Sequence, residues 1–96
     1  MSENSELRPV VVTTAHRGVF VGYTTDPSDA EIVRLERGRM IVYWPESTRG
    51  VVGLAVRGPG AGSRVSPPAT ITLRNITSVI DATVAASEAW EEEPWE

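Results

Sequence analysis

Tyr43-Trp44-Pro45-Glu46-Ser47-Thr48-Arg49-Gly50-Val51-Val52-Gly53-Leu54-Ala55-Val56-Arg57-Gly58-Pro59-Gly60-Ala61-Gly62-Ser63-Arg64 carries, in order, a strand end, an apolar turn and a glycine-rich loop, with three of the chain's nine arginines. Ser47 or Thr48 is placed to cap a short helix through Val51, Val52, Leu54 and Ala55. Gly50 and Gly53 weaken that helix, so a single turn or an irregular segment is the alternative. From Arg57 to Pro68, glycine, proline and serine forbid regular structure. A helical turn and a long loop between strands separate a small curled barrel from a plain run of hairpins.

Upstream, Arg39 to Trp44 has strand composition, with Met40, Val42 and Trp44 on one face and Ile41 and Tyr43 on the other. Both faces are apolar, so the second is expected to be covered by another segment, a subunit or a ligand. Glu31 to Glu36 alternates imperfectly, and Arg37-Gly38 after it predicts a hairpin turn. Thr25-Asp26-Pro27-Ser28-Asp29 is turn chemistry. Before it, Leu7 to Thr14 and Val19 to Thr24 predict a first hairpin, with His16 and Arg17 at its tip and Gly22 easing a bend or bulge.

Downstream, Ala69 to Ile80 predicts a fifth strand with a bend at Asn75. Thr83 is placed as the N-cap of a helix over 83–93 that Pro94 stops. The fold expected is mainly β: a small SH3-like five-stranded barrel with a short helical turn before the last strand and a short C-terminal helix. Residues 1–6 read as a leader and 7–96 as one domain.

Composition excludes several chemistries. The 96 residues include no cysteine, which removes disulfides, thiolate metal sites and cysteine nucleophiles. Lysine is also absent, and with it Schiff-base and lysine-base catalysis. A lone histidine without an acidic cluster at ligand spacing does not make a metal site. The net charge of −4 opposes broad attraction to nucleic acid or anionic membrane. Five of the thirteen acids lie from Glu88 to Glu96, so the rest of the chain is nearly neutral. No apolar run reaches the roughly 18 to 20 residues that span a bilayer, and the polar start lacks the order of a signal peptide. A soluble, cytoplasmic protein is expected.

The residues picked as ligand-binding are His16, Arg17, Tyr43, Arg49, Arg57, Gly60, Gly62, Ser63 and Arg64. Glycines allow successive N–H groups to converge on an oxyanion, arginines offer forked donors, and Tyr43 offers a stacking face. Each has a plainer reading. His16 and Arg17 fit a solvated loop, Gly58 to Arg64 a flexible connection, and Trp44 the core. The loop is not a Walker motif, since its lysine and the following Ser/Thr are missing. No Ser-His-Asp order or nucleophile elbow is present, so binding is favoured over catalysis, without cofactor or metal.

Arg8-Pro9-Val10-Val11-Val12-Thr13-Thr14, His16-Arg17-Gly18-Val19-Phe20, Tyr43-Trp44-Pro45, Gly50 to Ala55, Gly58-Pro59, Gly62-Ser63-Arg64-Val65, Ile76-Thr77-Ser78-Val79, Ala89-Trp90 and Pro94-Trp95 together form a pattern over nearly the whole chain. It resembles a family of small uncharacterised proteins encoded by tailed phages and prophages. The resemblance implies a phage origin and no assigned activity. Small phage proteins are often inhibitors of host defence, some of which sequester nucleotide signals.

The function expected is therefore a non-enzymatic, phage-encoded binding protein that sequesters a small anionic, nucleotide-derived signal. The alternative is a module that binds a host or phage protein through Trp44, Trp90, Trp95 and the acidic tail. Nucleic acid and membrane are disfavoured as partners. Surplus apolar surface on the Arg39–Trp44 strand predicts a homo-oligomer, most simply a two-fold dimer, whose pocket is completed by the neighbour's His16-Arg17 tip.

Overall fold

The computed structural model of the chain describes residues 7–15, 18–60 and 62–94. Six strands form one antiparallel sheet: β1 (Arg8–Thr14), β2 (Val19–Thr24), β3 (Val33–Tyr43), β4 (Arg64–Val65), β5 (Ala69–Leu73) and β6 (Ile76–Asp81). Two helices complete it, α1 (Gly50–Arg57) and α2 (Val84–Glu92). The sheet order is β4-β3-β2-β1-β6, with β5 pairing the first half of β3. The consecutive strands β5 and β6 thus lie at opposite ends of the sheet, which curls into the small barrel-like, mainly-β fold expected. A 3-10 turn over Glu46–Thr48 and α1 precede the last strands, and α2 ends the described chain. Among the described residues no helix is long and apolar enough to cross a membrane.

Three expectations for the strands are corrected. The Arg57 to Pro68 stretch, read as free of regular structure, contains the short strand β4, which pairs with the end of β3. Residues 33–43 form one long strand, not a hairpin turning at Arg37-Gly38. The turn chemistry is spent on a bulge: Arg37 has φ 50°, and the pairing of β3 shifts register towards both β2 and β5 at this point. Gly22 of β2 faces the same bulge, where a Cβ would lie 3.0 Å from Gly38 Cα. The 69–80 segment is two strands, since Asn75, at φ 58°, turns the chain from β3 to β1.

β1 explains the layering. Val10 and Val12 belong to a barrel core with Val33, Leu35 and Leu73. Val11, between them, belongs to a second core with Val19, Val21, Ile41, Leu54, Ala55, Val65, Ala86 and Trp90. Strand alternation sends alternate valines to opposite faces, and the helices cover the outer one. The apolar second face of the Arg39–Trp44 strand is therefore covered by α1 and α2 of the same chain. A bulge between Ile41 and Tyr43 also breaks the expected face assignment. Ile41 is buried, Trp44 packs on the outer core, and Met40, Val42 and Tyr43 are exposed.

The helical layer is pinned at several points. Thr83 caps α2, accepting from the Ala86 N–H at 3.0 Å, and its hydroxyl donates to the Val56 carbonyl of α1 at 2.8 Å. The N-cap position of α1 is Arg49, at φ 71° and without a side-chain cap, in place of the expected Ser47 or Thr48. Trp90 is fully buried, and its ring meets Tyr23 edge-on at 6.0 Å between centroids.

Candidate functional site

The glycine-rich run does two different jobs. Its first part is packing: Gly58 and Pro59 are buried where the end of α1 meets α2. Gly58 adopts φ 82°, ψ −179°, which is in practice restricted to glycine, and a Cβ there would lie 2.7 Å from Ala89 Cβ and 2.8 Å from the Ala86 carbonyl oxygen. Its second part opens to solvent. Gly60 accepts from the Ser63 N–H at 3.1 Å, closing a turn that delivers Gly62 and Ser63 to the rim of a cleft of about 410 Å³.

That cleft is lined by Val42, Gly62, Ser63, Arg64, Val65, Glu93 and Pro94. Tyr43 sits directly across the β3–β4 ladder from Arg64. Both are exposed, so a planar ring and a forked cation stand side by side at the mouth of the cleft. The Ser63 hydroxyl oxygen is buried and has no hydrogen-bond partner among the described residues. A hydroxyl closed to solvent is equally closed to a ligand, so the polar groups the cleft presents are those of Arg64 and Glu93.

The wall opposite Arg64 is the C-terminal end of α2, held in place by one buried charge. Arg39, on β3, is 3% exposed. It donates through Nε to the Ser66 carbonyl at 2.8 Å, through Nη2 to the Glu93 carbonyl at 2.8 Å, and through Nη1 to the Trp90 carbonyl. These acceptors include last-turn and post-helix carbonyls that an α-helix leaves unsatisfied, and a cation at this end complements the helix dipole. Burial pulls the Arg39 guanidinium below its ordinary value, and the Glu91 and Glu93 carboxylates pull the other way. Arg37 reinforces the join, lying 4.4 Å over the Tyr23 ring and pairing with Glu91 at 3.3 Å.

Of the nine residues picked from the sequence, Gly62, Ser63 and Arg64 line the cleft, Tyr43 adjoins it, and Gly60 shapes its turn. Arg49 and Arg57 are exposed at opposite ends of α1 and do not line it. His16 and Arg17 lie outside the described residues. Val42, Val65, Glu93 and Pro94 were missed. Nothing local announces Glu93 and Pro94, because only the docking of α2 through Arg39 brings residue 93 beside residue 64. Trp90, expected as an interface anchor in the alternative reading, is a core residue without exposed surface.

The chain belongs to the family described as a domain of unknown function, DUF6948, whose model matches residues 7–90. No curated protein and no solved structure matches it.

Proposed function

We propose that this protein is a non-enzymatic binding protein that captures a small nucleotide-derived ligand in the cleft between the Gly62–Arg64 turn and the end of α2. The observation that carries this reading is the exposed Tyr43–Arg64 cross-strand pair beside a cleft lined by Arg64 and Glu93. The lining has both signs of charge. Arg64 suits a phosphate oxygen, whereas Glu93 repels a bare anion and suits the exocyclic amine of a base. Tyr43 supplies a ring for the base to stack on. A nucleotide carries all three complements; inorganic phosphate carries one.

The resemblance to small phage proteins supports a counter-defence role in the host cytoplasm, in which a nucleotide-derived immune signal is held rather than degraded. A two-fold dimer belongs to the same proposal, with its interface moved from Ile41, which is buried, to the surface around the exposed Met40, leaving Val42 and Tyr43 to the ligand. Thermal-shift screening against cyclic dinucleotides, cyclic trinucleotides and ADP-ribose derivatives tests the ligand class. Ligand at about a hundred times its Kd stabilises by roughly 2.7 kcal/mol, or a Tm rise on the order of 10 °C in a domain of this size. No rise with any of them at high micromolar concentration refutes the proposal.

A further inference from the structure

A larger cleft, of about 520 Å³, lies between residues 28–32, which lead into β3, and the segment 74–79, which turns the β5–β6 corner and runs along β6. It shares no lining residue with the cleft at Ser63. Its apolar lining is the exposed Ile32 together with Ala30, Ile76 and Val79, the partly buried residues that cover one side of the barrel core of Val10, Val12, Val33, Leu35 and Leu73. The core beneath is already buried, and an occupant here would cover the partly exposed Ala30, Ile76 and Val79 and the exposed Ile32.

This is also where the sheet ends. β6 pairs with β1 and has no second strand beside it among the described residues. The ladder identifies the backbone groups left over. The Ala82 N–H donates to the Pro9 carbonyl at 2.9 Å, and the register continues as Val10↔Asp81, Val11↔Ile80, Val12↔Val79 and Thr13↔Ser78. Bonded and non-bonded pairs alternate in an antiparallel ladder. Ile80 and Ser78 therefore turn their N–H and C=O groups towards β1, and Val79 and Asp81 turn theirs to the open edge. Edge strands are commonly blunted by charges or proline, but Ile76-Thr77-Ser78-Val79-Ile80 contains neither.

We infer that the open edge of β6 is a docking site for an extended peptide segment of a partner protein, which adds to the sheet as a further strand. This mode takes its affinity from main-chain hydrogen bonds and its specificity from alternate side chains. One apolar side chain of the peptide enters the floor of Ala30, Ile76 and Val79. A basic side chain two positions away, on the same face, meets Asp29 and Glu31 on the opposite wall, two acids against the single cation of the lining, Arg74. Both acids are exposed, and neither takes part in the ion pairs Arg8–Asp81, Arg34–Glu36 or Arg37–Glu91.

The test is a titration of the full-length, ¹⁵N-labelled protein with the peptide acetyl-Lys-Thr-Val-Thr-Lys-amide, followed by amide chemical shifts and hydrogen exchange. Shifts confined to residues 28–32 and 76–81, with slowed exchange at the Val79 amide, are expected. The double variant Asp29→Lys, Glu31→Lys weakens binding about tenfold or more. Val79→Pro abolishes it, because proline removes the outward N–H and leaves the bonds of Ser78 and Ile80 to β1 intact. Should that variant fail to fold, a peptide N-methylated at its central valine makes the same cut from the other side, and its loss of binding is expected. The inference is overturned by shifts elsewhere, by none at millimolar peptide, or by equal binding of the peptide with both lysines replaced by glutamate. Peptide-free shifts at these residues that grow with protein concentration also overturn it, since a second copy of the chain is then the occupant.

Discussion

The buried guanidinium of Arg39 donates to the backbone carbonyl of Trp90, so the residue at the centre of the helical layer is gripped twice, by its ring in the core and by its carbonyl from β3. Replacing Arg39 with methionine keeps most of the apolar stem but orphans the carbonyls of Ser66 and Glu93 and leaves that of Trp90 only the long bond from the Glu93 N–H. A loss of a few kcal/mol is expected in urea denaturation, at about 1–3 kcal/mol for each buried carbonyl left unpaired. Arg39→Lys does not restore it, because an ammonium cannot serve three diverging acceptors from a planar fork. Full stability in Arg39→Lys would show that only the charge matters.

Tyr23 gives the fold a pH limit. Its hydroxyl titrates above the ordinary tyrosine value, chiefly through burial and then through the neighbouring Glu91 carboxylate, with Ser87 and Arg37 pulling the other way. A phenol whose folded-state pKa is raised contributes stability that is complete below the unfolded value, about 10, and is lost as pH climbs through the folded value. Denaturation midpoints should fall as pH rises beyond that point, and Tyr23→Phe should flatten the fall. An unchanged alkaline slope in Tyr23→Phe would assign it to another group.

Gly58 tests the join between the helices. Its backbone conformation and the contact with Ala86 and Ala89 both exclude a side chain. Gly58→Ala is expected to cost roughly 2–3 kcal/mol from strain and displacement together, read as a lower denaturation midpoint.

Two substitutions on β3 separate core from surface. Ile41 is buried in the outer core, so Ile41→Glu should unfold the protein, as an unpaired buried charge does. Met40→Glu, on an exposed neighbour, should leave the circular dichroism spectrum unchanged and abolish the dimer proposed through that surface. Light scattering that finds the wild type monomeric at concentrations well above typical subunit affinities refutes the dimer.

What the sequence reveals and what it hides follow from the range of the forces involved. The hairpin β1–β2, the Thr83 cap and the bend at Asn75 are written in β-branched runs, a capping hydroxyl and a turn residue, all local signals. The continuity of β3 is not local. Arg37-Gly38 reads equally as a hairpin turn or a bulge, and the choice is made by β2 and β5 pairing across it. Likewise the apolar second face of the Arg39–Trp44 strand is visible in the sequence, but that α1 and α2 cover it depends on contacts between residues some fifty positions apart, such as Arg39 with Trp90. For the same reason the Gly62–Arg64 wall of the cleft was legible and the Glu93–Pro94 wall was not.

Titration of the ¹⁵N-labelled protein with the nucleotide that most raises its Tm, followed by amide chemical shifts in the wild type and in Arg64→Ala, tests the central claim most directly. The proposed function predicts saturable shifts at Val42, Tyr43, Gly62, Ser63, Arg64 and Glu93, and at least about tenfold weaker binding in Arg64→Ala, a charged hydrogen bond being worth about 1.5–3 kcal/mol. Saturable shifts centred elsewhere, or unchanged affinity in Arg64→Ala, would contradict it.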